Sequence, residues 1–435
     1  RKELKIKVYG DDCPDPIRSF EELATRYDAP KWLMKNLRAG KFERPTPIQA
    51  QSIAVLLGNH DLLAYSETGS GKTLAFVLPL LLLLKEPRNV GARALIVSPT
   101  RELAKQIFNV VLRMTADAQL DWQTLWLNKE NCNKNTIKQA SKFDIIVATP
   151  LRLVKAIKRG FSLASVQYVV FDEADRLFDT QLGTFVKQVD QIVAACTHKQ
   201  RRMALFSATR APAAEALAVT AMHAPIRVMV GAQNRALASV QQKLTYCGNE
   251  AGKLLGLWQL LRGGAKPPVL VFVQSCARAV DLCRELRLGG ARAAALHGGC
   301  SQAERDDVVE RFRTGDVFVL VATDVLSRGI DYRAVNVVVN YDVPQSIADY
   351  IHRVGRTGRN GRSGQAVTLY TTPDRQLVRA FAEVILQSGG DVPDWVLTMR
   401  KPSVKKKAQI RKRPIARDPI RKQRSAASSD SDDDN

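Results

Sequence analysis

The chain has 435 residues, 45% of them hydrophobic, enough to bury the cores of two or three domains. Its 65 Lys and Arg against 43 Asp and Glu give a formal net charge of +22 and a pI near 9.9, which favours a polyanionic partner but equally describes a solvated basic face or tail. Seven cysteines stand scattered, odd in number and without a CxxC pair, which argues against a disulfide framework or structural zinc site and for a reducing compartment.

No signal peptide is read at the start, and a chain opening on Arg1 rather than Met is expected to lack residues ahead of it. From about Phe20 onward, short β-branched runs alternate with helical stretches. Segments 60–65, 94–98, 144–148, 168–171 and 203–206 are predicted to be buried strands. The apolar run 78–84 is broken by Pro79 and falls far short of the roughly 20 residues a bilayer requires, so no membrane span is expected. A second series of predicted strands covers 269–273, 293–296, 317–322, 335–340 and 366–370. Alternating strands and helices imply an α/β fold, with parallel sheets covered by helices on both faces. Two successive series imply two such domains, at 20–231 and 241–390, with a flank at 1–19 and a linker at 232–240. The remainder, 391–435, holds eleven Lys and Arg between Lys401 and Arg424 and then an acidic, serine-containing end. It has too few large apolar residues to build a core and is expected to be disordered.

Ser66-Glu67-Thr68-Gly69-Ser70-Gly71-Lys72-Thr73 follows a predicted strand and opens a predicted helix, the context a phosphate-binding loop requires. Backbone N–H groups from Thr68 to Gly71 and the helix N-terminus would cradle the anion, Lys72 would reach the outer phosphates, and Thr73 would offer a hydroxyl to magnesium. Ser66 stands in place of the first glycine of the general pattern. About a hundred residues on, the apolar run 169–171 leads into Asp172-Glu173-Ala174-Asp175. An acidic pair at the carboxyl end of a buried strand suits a magnesium nucleotide: Asp172 to hold the metal through water, Glu173 to orient and deprotonate the attacking water. These motifs alone describe a P-loop NTPase, with transporter ATPases, motor proteins and small-molecule kinases still open.

What accompanies them narrows the choice. Pro45-Thr46-Pro47-Ile48-Gln49, Pro99-Thr100-Arg101-Glu102-Leu103-Ala104, Asp172 to Asp175, Ser207-Ala208-Thr209, Gln302 with Arg305, Ala322-Thr323-Asp324 through Arg328-Gly329-Ile330-Asp331, and Tyr350 through Arg359 occur in one order. In order and spacing they resemble the DEAD-box family of RNA helicases, across nearly all of residues 20–364. The resemblance implies two tandem RecA-like domains and an RNA-stimulated ATPase using ATP and magnesium. It puts Gln49 on the adenine edge, Phe42 against the base, Phe20 as the upstream aromatic and Asp331 among the nucleotide-binding residues. It makes Arg356 and Arg359 arginine fingers, contributed by the second domain to a site whose Lys72 and Glu173 lie in the first. RNA backbone contacts carry over to Thr100, Arg101, Thr149, Arg152, Gln302, Arg305, Thr323 and Arg328, and coupling of hydrolysis to strand separation to Ser207, Thr209 and His352.

Departures from the family pattern are local. Lys41 occupies the usual glycine before Phe42, the usual glycine pair between Ala104 and Asp144 is absent, and Leu151 replaces the glycine of Thr-Pro-Gly-Arg. With segment 10–17 and Phe272-Val273-Gln274-Ser275, these features resemble the nucleolar subgroup acting in small-subunit ribosome assembly. That resemblance implies a monomer in the nucleus and nucleolus, with pre-rRNA and pre-ribosomal proteins as partners. The alternative reading is an ATP-gated RNA clamp with slow turnover.

Overall fold

The computed structural model describes residues 1–116, 118, 120–178, 184–210, 212–231, 239–324, 335–358, 363–400, 403, 415–418 and 420. Fourteen strands among them form two sheets. The first contains β1 (Ile6–Tyr9), β2 (Leu62–Tyr65), β3 (Ala94–Val97), β4 (Thr124–Leu127), β5 (Ile145–Ala148), β6 (Tyr168–Phe171), β7 (Arg202–Ser207) and β8 (Ile226–Val230), in the order β1-β8-β2-β7-β6-β3-β5-β4. All its pairings are parallel except β1 on β8. The second, wholly parallel sheet contains β9 (Val240–Tyr246), β10 (Val269–Val273), β11 (Ala293–Leu296), β12 (Val319–Thr323), β13 (Val337–Asn340) and β14 (Gly364–Tyr370), ordered β11-β12-β10-β13-β14-β9.

The expected α/β architecture is therefore present, and each predicted strand lies within two residues of an observed one. Central strands such as Ala94–Val97 and Val269–Val273 are buried along their whole length because helices cover both faces of a parallel sheet. Alternate residues feed opposite layers: Leu62 and Ala64 join one apolar core, Leu63 and Tyr65 the other. In the second domain Leu270 and Phe272 face one layer, while Val269, Val271 and Val273 face the other. The strands that the sequence pattern does not reveal are β1, β4, β8 and β9. Three of these, β1, β4 and β9, are sheet edges, where half-buried alternation replaces the continuous apolar run.

The apolar run ending at Leu84 forms the last turns of the helix Lys72–Leu84, buried against the first sheet with Pro79 inside it. No helix among the described residues is long and apolar enough to cross a membrane. Residues 232–238, within the expected linker, lie outside the described residues. In the tail, Ile415 and Ile420 pack against the two apolar layers of the second domain, while most of the stretch expected to be disordered lies outside the described residues.

Candidate active site and nucleic-acid interface

Apart from the segment of Phe42 and Thr46, which joins two helices, the predicted functional loops of the first domain leave the carboxyl ends of parallel strands, the edge at which ligands bind in open α/β sheets. Residues 66–71 follow β2, Ser98-Pro99-Thr100 follow β3, Thr149 follows β5, Asp172 follows β6 and Ala208 follows β7. The turn from β2 into the helix Lys72–Leu84 needs left-handed backbone at Gly69 (φ +79°) and Gly71 (φ +92°). A Cβ at Gly71 would also run into the side-chain amide of Gln49. Lys72 Nζ folds over the loop, donating to the carbonyls of Ser66 (2.7 Å) and Glu67 (2.8 Å). Thr73, in the first helical turn, lines the cleft beside it.

The Q-motif residues brace this loop. Thr46 and Gln49 form a capping box on the helix Pro47–Leu57. Thr46 Oγ1 donates to the Ser70 carbonyl (2.7 Å) and Gln49 Nε2 to the Gly71 carbonyl (3.0 Å). Gln49 Oε1 accepts from the Thr46 N–H (2.9 Å), so both ends of its amide are engaged by the protein. Phe42 lines the cleft as expected. Lys41 adopts φ +58°, the left-handed conformation that a glycine would take without strain, so the chain keeps the turn despite the substitution. Phe20 does not reach the cleft. It is 2% exposed and packs in the core of the first domain, which corrects its expected place among the nucleotide contacts.

The acidic pair lines the same cleft as the loop, on the first domain's side. Asp172 is buried, and desolvation, with Glu173 alongside, pushes its carboxyl up to about 7 against the pull of Lys72. A divalent cation would favour the charged form, so Asp172 and the Thr73 hydroxyl fit a magnesium ion. Glu173 takes a left-handed backbone, φ +47°, with its N–H on Asp172 Oδ1 at 2.9 Å. Its Oε1 lies 4.0 Å from Nη2 of Arg356, a residue of the second domain.

The remaining acid of the quartet is the hub that sequence reasoning left without a role. Asp175 Oδ2 accepts from the Thr209 N–H (3.0 Å) and hydroxyl (2.8 Å) and lies 3.2 Å from His352 Nε2 across the domain boundary. Ser207 Oγ donates to the Thr209 carbonyl (2.6 Å) and accepts from the Asp175 N–H (3.3 Å). The three expected coupling residues thus meet around Asp175, Thr209 and His352 at its buried carboxylate and Ser207 at its backbone N–H. Next to His352 on the helix Ile347–Val354, Arg353 grips Asp324 through two contacts of 2.6 Å. Beyond the helix end, Gly355 abuts the phosphate loop so closely that a Cβ there would overlap Thr68 Oγ1.

Both domains wall one cleft of about 1090 Å³, lined by Phe42, Lys72, Asp172 and Glu173 on one side and by His352 and Arg356 on the other. Of the expected RNA contacts, Arg101, Gln302 and Arg305 also line it. Arg305 reaches Glu102 across the boundary at 3.3 Å, and Lys105 reaches Asp306 at 3.2 Å. Neither Glu102 nor Lys105 was singled out by the sequence. Thr100 is buried, its hydroxyl capping the helix Arg101–Thr115 by accepting from the Leu103 N–H. Thr149 and Arg152 open the helix Pro150–Ile157 after β5, and Thr323 ends β12. Leu151 is 45% exposed in that first turn. Where the glycine pair is absent, Asn128 and Asn131 close the turn after β4, each side chain accepting the other's N–H at 2.8 Å. Arg328, Asp331 and Arg359 lie outside the described residues.

The DEAD/DEAH box helicase family model matches residues 46–217, and the helicase conserved C-terminal domain model matches residues 252–361. The chain is 42% identical over 421 residues to the ATP-dependent RNA helicase ROK1 of Vanderwaltozyma polyspora, covering 95% of this chain and 73% of that protein. Identity to ROK1 of Yarrowia lipolytica is 43%, over 98% of this chain and 80% of the relative. The solved structure of S. cerevisiae Dbp5 bound to RNA and ADP BeF3 superposes with a TM-score of 0.73 at 30% identity, over 87% of this chain and 95% of that one. With both helicase segments in order on two RecA-like sheets, the chain belongs to the DEAD-box family of ATP-dependent RNA helicases.

Proposed function

We propose that this enzyme hydrolyses ATP in a site completed when its two domains meet, and spends the closure on separating short RNA duplexes or remodelling RNA–protein contacts. The observation that carries the reading is the double contact across the cleft: Asp175 with His352 at 3.2 Å and Glu173 with Arg356 at 4.0 Å. The loop from Thr68 to Gly71 holds the phosphates and Lys72 moves from its loop carbonyls to the outer ones. Gln49 braces the loop and reads the adenine, with Phe42 against the base. Thr73 and Asp172 would hold a magnesium ion, which would supply positive charge at the phosphates. Glu173 takes a proton from the attacking water, and Arg356 with Arg359 stabilises charge developing on the γ-phosphate.

RNA runs along the carboxyl edges of both sheets, touched by Thr100, Arg101, Thr149, Arg152, Gln302, Arg305 and Thr323, with Arg328 the remaining contact the family pattern assigns. Backbone contacts position a strand without reading its sequence. Arg305 exchanges Glu102 for a phosphate, so RNA binding and interdomain ion pairing are in competition. The likeness to ROK1 proteins, the nucleolar-subgroup features and the basic tail support pre-rRNA as substrate, small-subunit ribosome assembly as the process and the nucleolus as the place. The enzyme acts as a monomer among pre-ribosomal proteins.

The test is ATP hydrolysis by the purified protein with a short RNA, with DNA of the same sequence, and with neither. Strong stimulation by RNA alone is expected. Equal stimulation by DNA would end the RNA reading, and ATP-dependent RNA binding without stimulated turnover would favour an ATP-gated clamp.

A further inference from the structure

The short segment Ile415 to Asp418 carries a guanidinium into the interior of the second domain. The Arg417 side chain is 3% exposed. Its Nη2 and Nη1 donate to the two carboxylate oxygens of Asp374 at 2.7 and 2.9 Å, and Nη1 also reaches Glu250 at 3.2 Å. Its Nε donates to Gln274 Oε1 at 3.3 Å and stands 3.8 Å from Asp342. The backbone of the segment is held as well: Gln274 Nε2 donates to the Ile415 carbonyl (3.2 Å) and Arg278 Nη1 to the Asp418 carbonyl (2.8 Å). Ile415 packs on one face of the second sheet and Ile420 on the other, so the strap crosses the sheet's edge.

That edge is the carboxyl one. Gln274 follows β10, Asp342 lies just beyond β13 and Asp374 just beyond β14. Lys253, Arg278 and Arg417 face Glu250, Asp342 and Asp374 there, three cations against three carboxylates. Without Arg417 one buried carboxylate charge has no counterpart. Asp342 has a second engagement: its carbonyl accepts from Arg353 Nη1 at 2.7 Å. Arg353 in turn holds Asp324, the residue after Thr323, and Thr323 pairs in register with Val273 beside Gln274.

We propose that Arg417 is a positioning residue for RNA engagement: the strap fixes Asp342, and through it the Arg353–Asp324 pair, beside Thr323. The inference rests on reading Thr323 as an RNA contact. The tail is then more than a basic extension, because one of its arginines sets the edge against which RNA lies.

The experiment titrates the ATPase of the full chain with a short single-stranded RNA, for wild type, Arg417→Gln and the double variant Arg417→Gln/Asp374→Asn. The double variant releases the strap but keeps the buried charges balanced. Thermal melting of each protein reports stability separately. Both variants should need roughly 2- to 30-fold more RNA for half-maximal stimulation, with turnover at saturating RNA within about twofold of wild type. Wild-type RNA half-saturation in Arg417→Gln, or its recovery in the double variant, overturns the proposal and leaves a purely structural ion pair. Absence of RNA stimulation in the wild-type protein would instead sink the RNA reading itself, and this inference with it.

Discussion

Glu173→Gln removes one charge from the cleft while keeping nearly the same shape. Glu173 is 8% exposed, its backbone is fixed in a left-handed conformation, and its Oε1 stands 4.0 Å from Arg356. At an effective dielectric near 20, two unit charges 4 Å apart interact by about 4 kcal/mol before desolvation is subtracted, so the variant weakens one closing contact. It also lowers the negative charge that a polyphosphate meets beside Asp172, an effect of opposite sign on nucleotide binding. These two terms oppose each other, whereas the chemical step would lose the base proposed for it. A positioned general base contributes about 10²- to 10⁴-fold, equivalent to about 3–5 kcal/mol of barrier. Single-turnover hydrolysis at saturating RNA should therefore slow by about 10²- to 10⁴-fold, while RNA stays bound as long as ATP is present. The assay pairs quenched-flow hydrolysis with release of labelled RNA after a chase. Turnover within about threefold of wild type would refute the role given to Glu173. A parallel loss of RNA binding would mean that the carboxylate acts through closure rather than through water.

Other variants probe the contacts around it. His352→Leu removes the partner of Asp175 across the boundary; a hydrogen bond to a charged group is worth about 1.5–3 kcal/mol, so RNA-stimulated turnover should drop about tenfold or more with nucleotide affinity little changed. Undiminished stimulation would show that this bond does not couple the domains. Gly71→Ala forces a Cβ onto a φ of +92° and into the Gln49 amide; nucleotide affinity, followed with a fluorescent analogue, should fall about tenfold as the loop shifts, at a strain of roughly 1–3 kcal/mol. Wild-type affinity would argue that the loop is not the phosphate cradle. Asp374 is buried, which alone would raise its pKa, but hydrogen bonds and charge from Arg417 outweigh burial and hold it below the usual carboxylate range. A carboxylate with a depressed folded pKa stabilises the protein above its unfolded value, near 4, and loses that contribution as pH falls toward the folded value. Asp374→Asn should accordingly cost about 3 kcal/mol at pH 7, with the gap to wild type narrowing below about pH 4 in urea titrations. A gap independent of pH would show that the carboxylate charge contributes nothing to it.

Much of the catalytic half of the molecule follows from local sequence. A continuous β-branched run such as Val269 to Val273 reads as a strand covered on both faces, and Gly69 and Gly71 between a strand and a helix permit the left-handed turn the loop makes there. Thr46 and Gln49 also carry capping-box spacing, a local signal that the motif reading passed over and that the structure uses to start a helix. The edge strands Ile6–Tyr9 and Thr124–Leu127 escaped because half-buried alternation is a weak signal in segments of four residues.

Long-range pairing decided the rest. Nothing near Asp175 in the chain tells that it will hold Thr209 and His352, because its second partner lies 177 residues away. Arg305 reads as an RNA contact by pattern, yet the folded chain sets it 3.3 Å from Glu102 of the other domain, 203 residues away in sequence. Phe20 reads as the upstream aromatic of the nucleotide-binding set, and only the packing of the first core places it there, 2% exposed. Arg417 sits in a stretch whose composition forbids a core of its own; the acidic socket that receives it is assembled from Glu250, Asp342 and Asp374, residues no sequence window contains together. Periodicity, turn chemistry and capping act over a few residues and are written in the chain. Charge pairing across domains is settled only once the cores have packed and fixed which side chains meet.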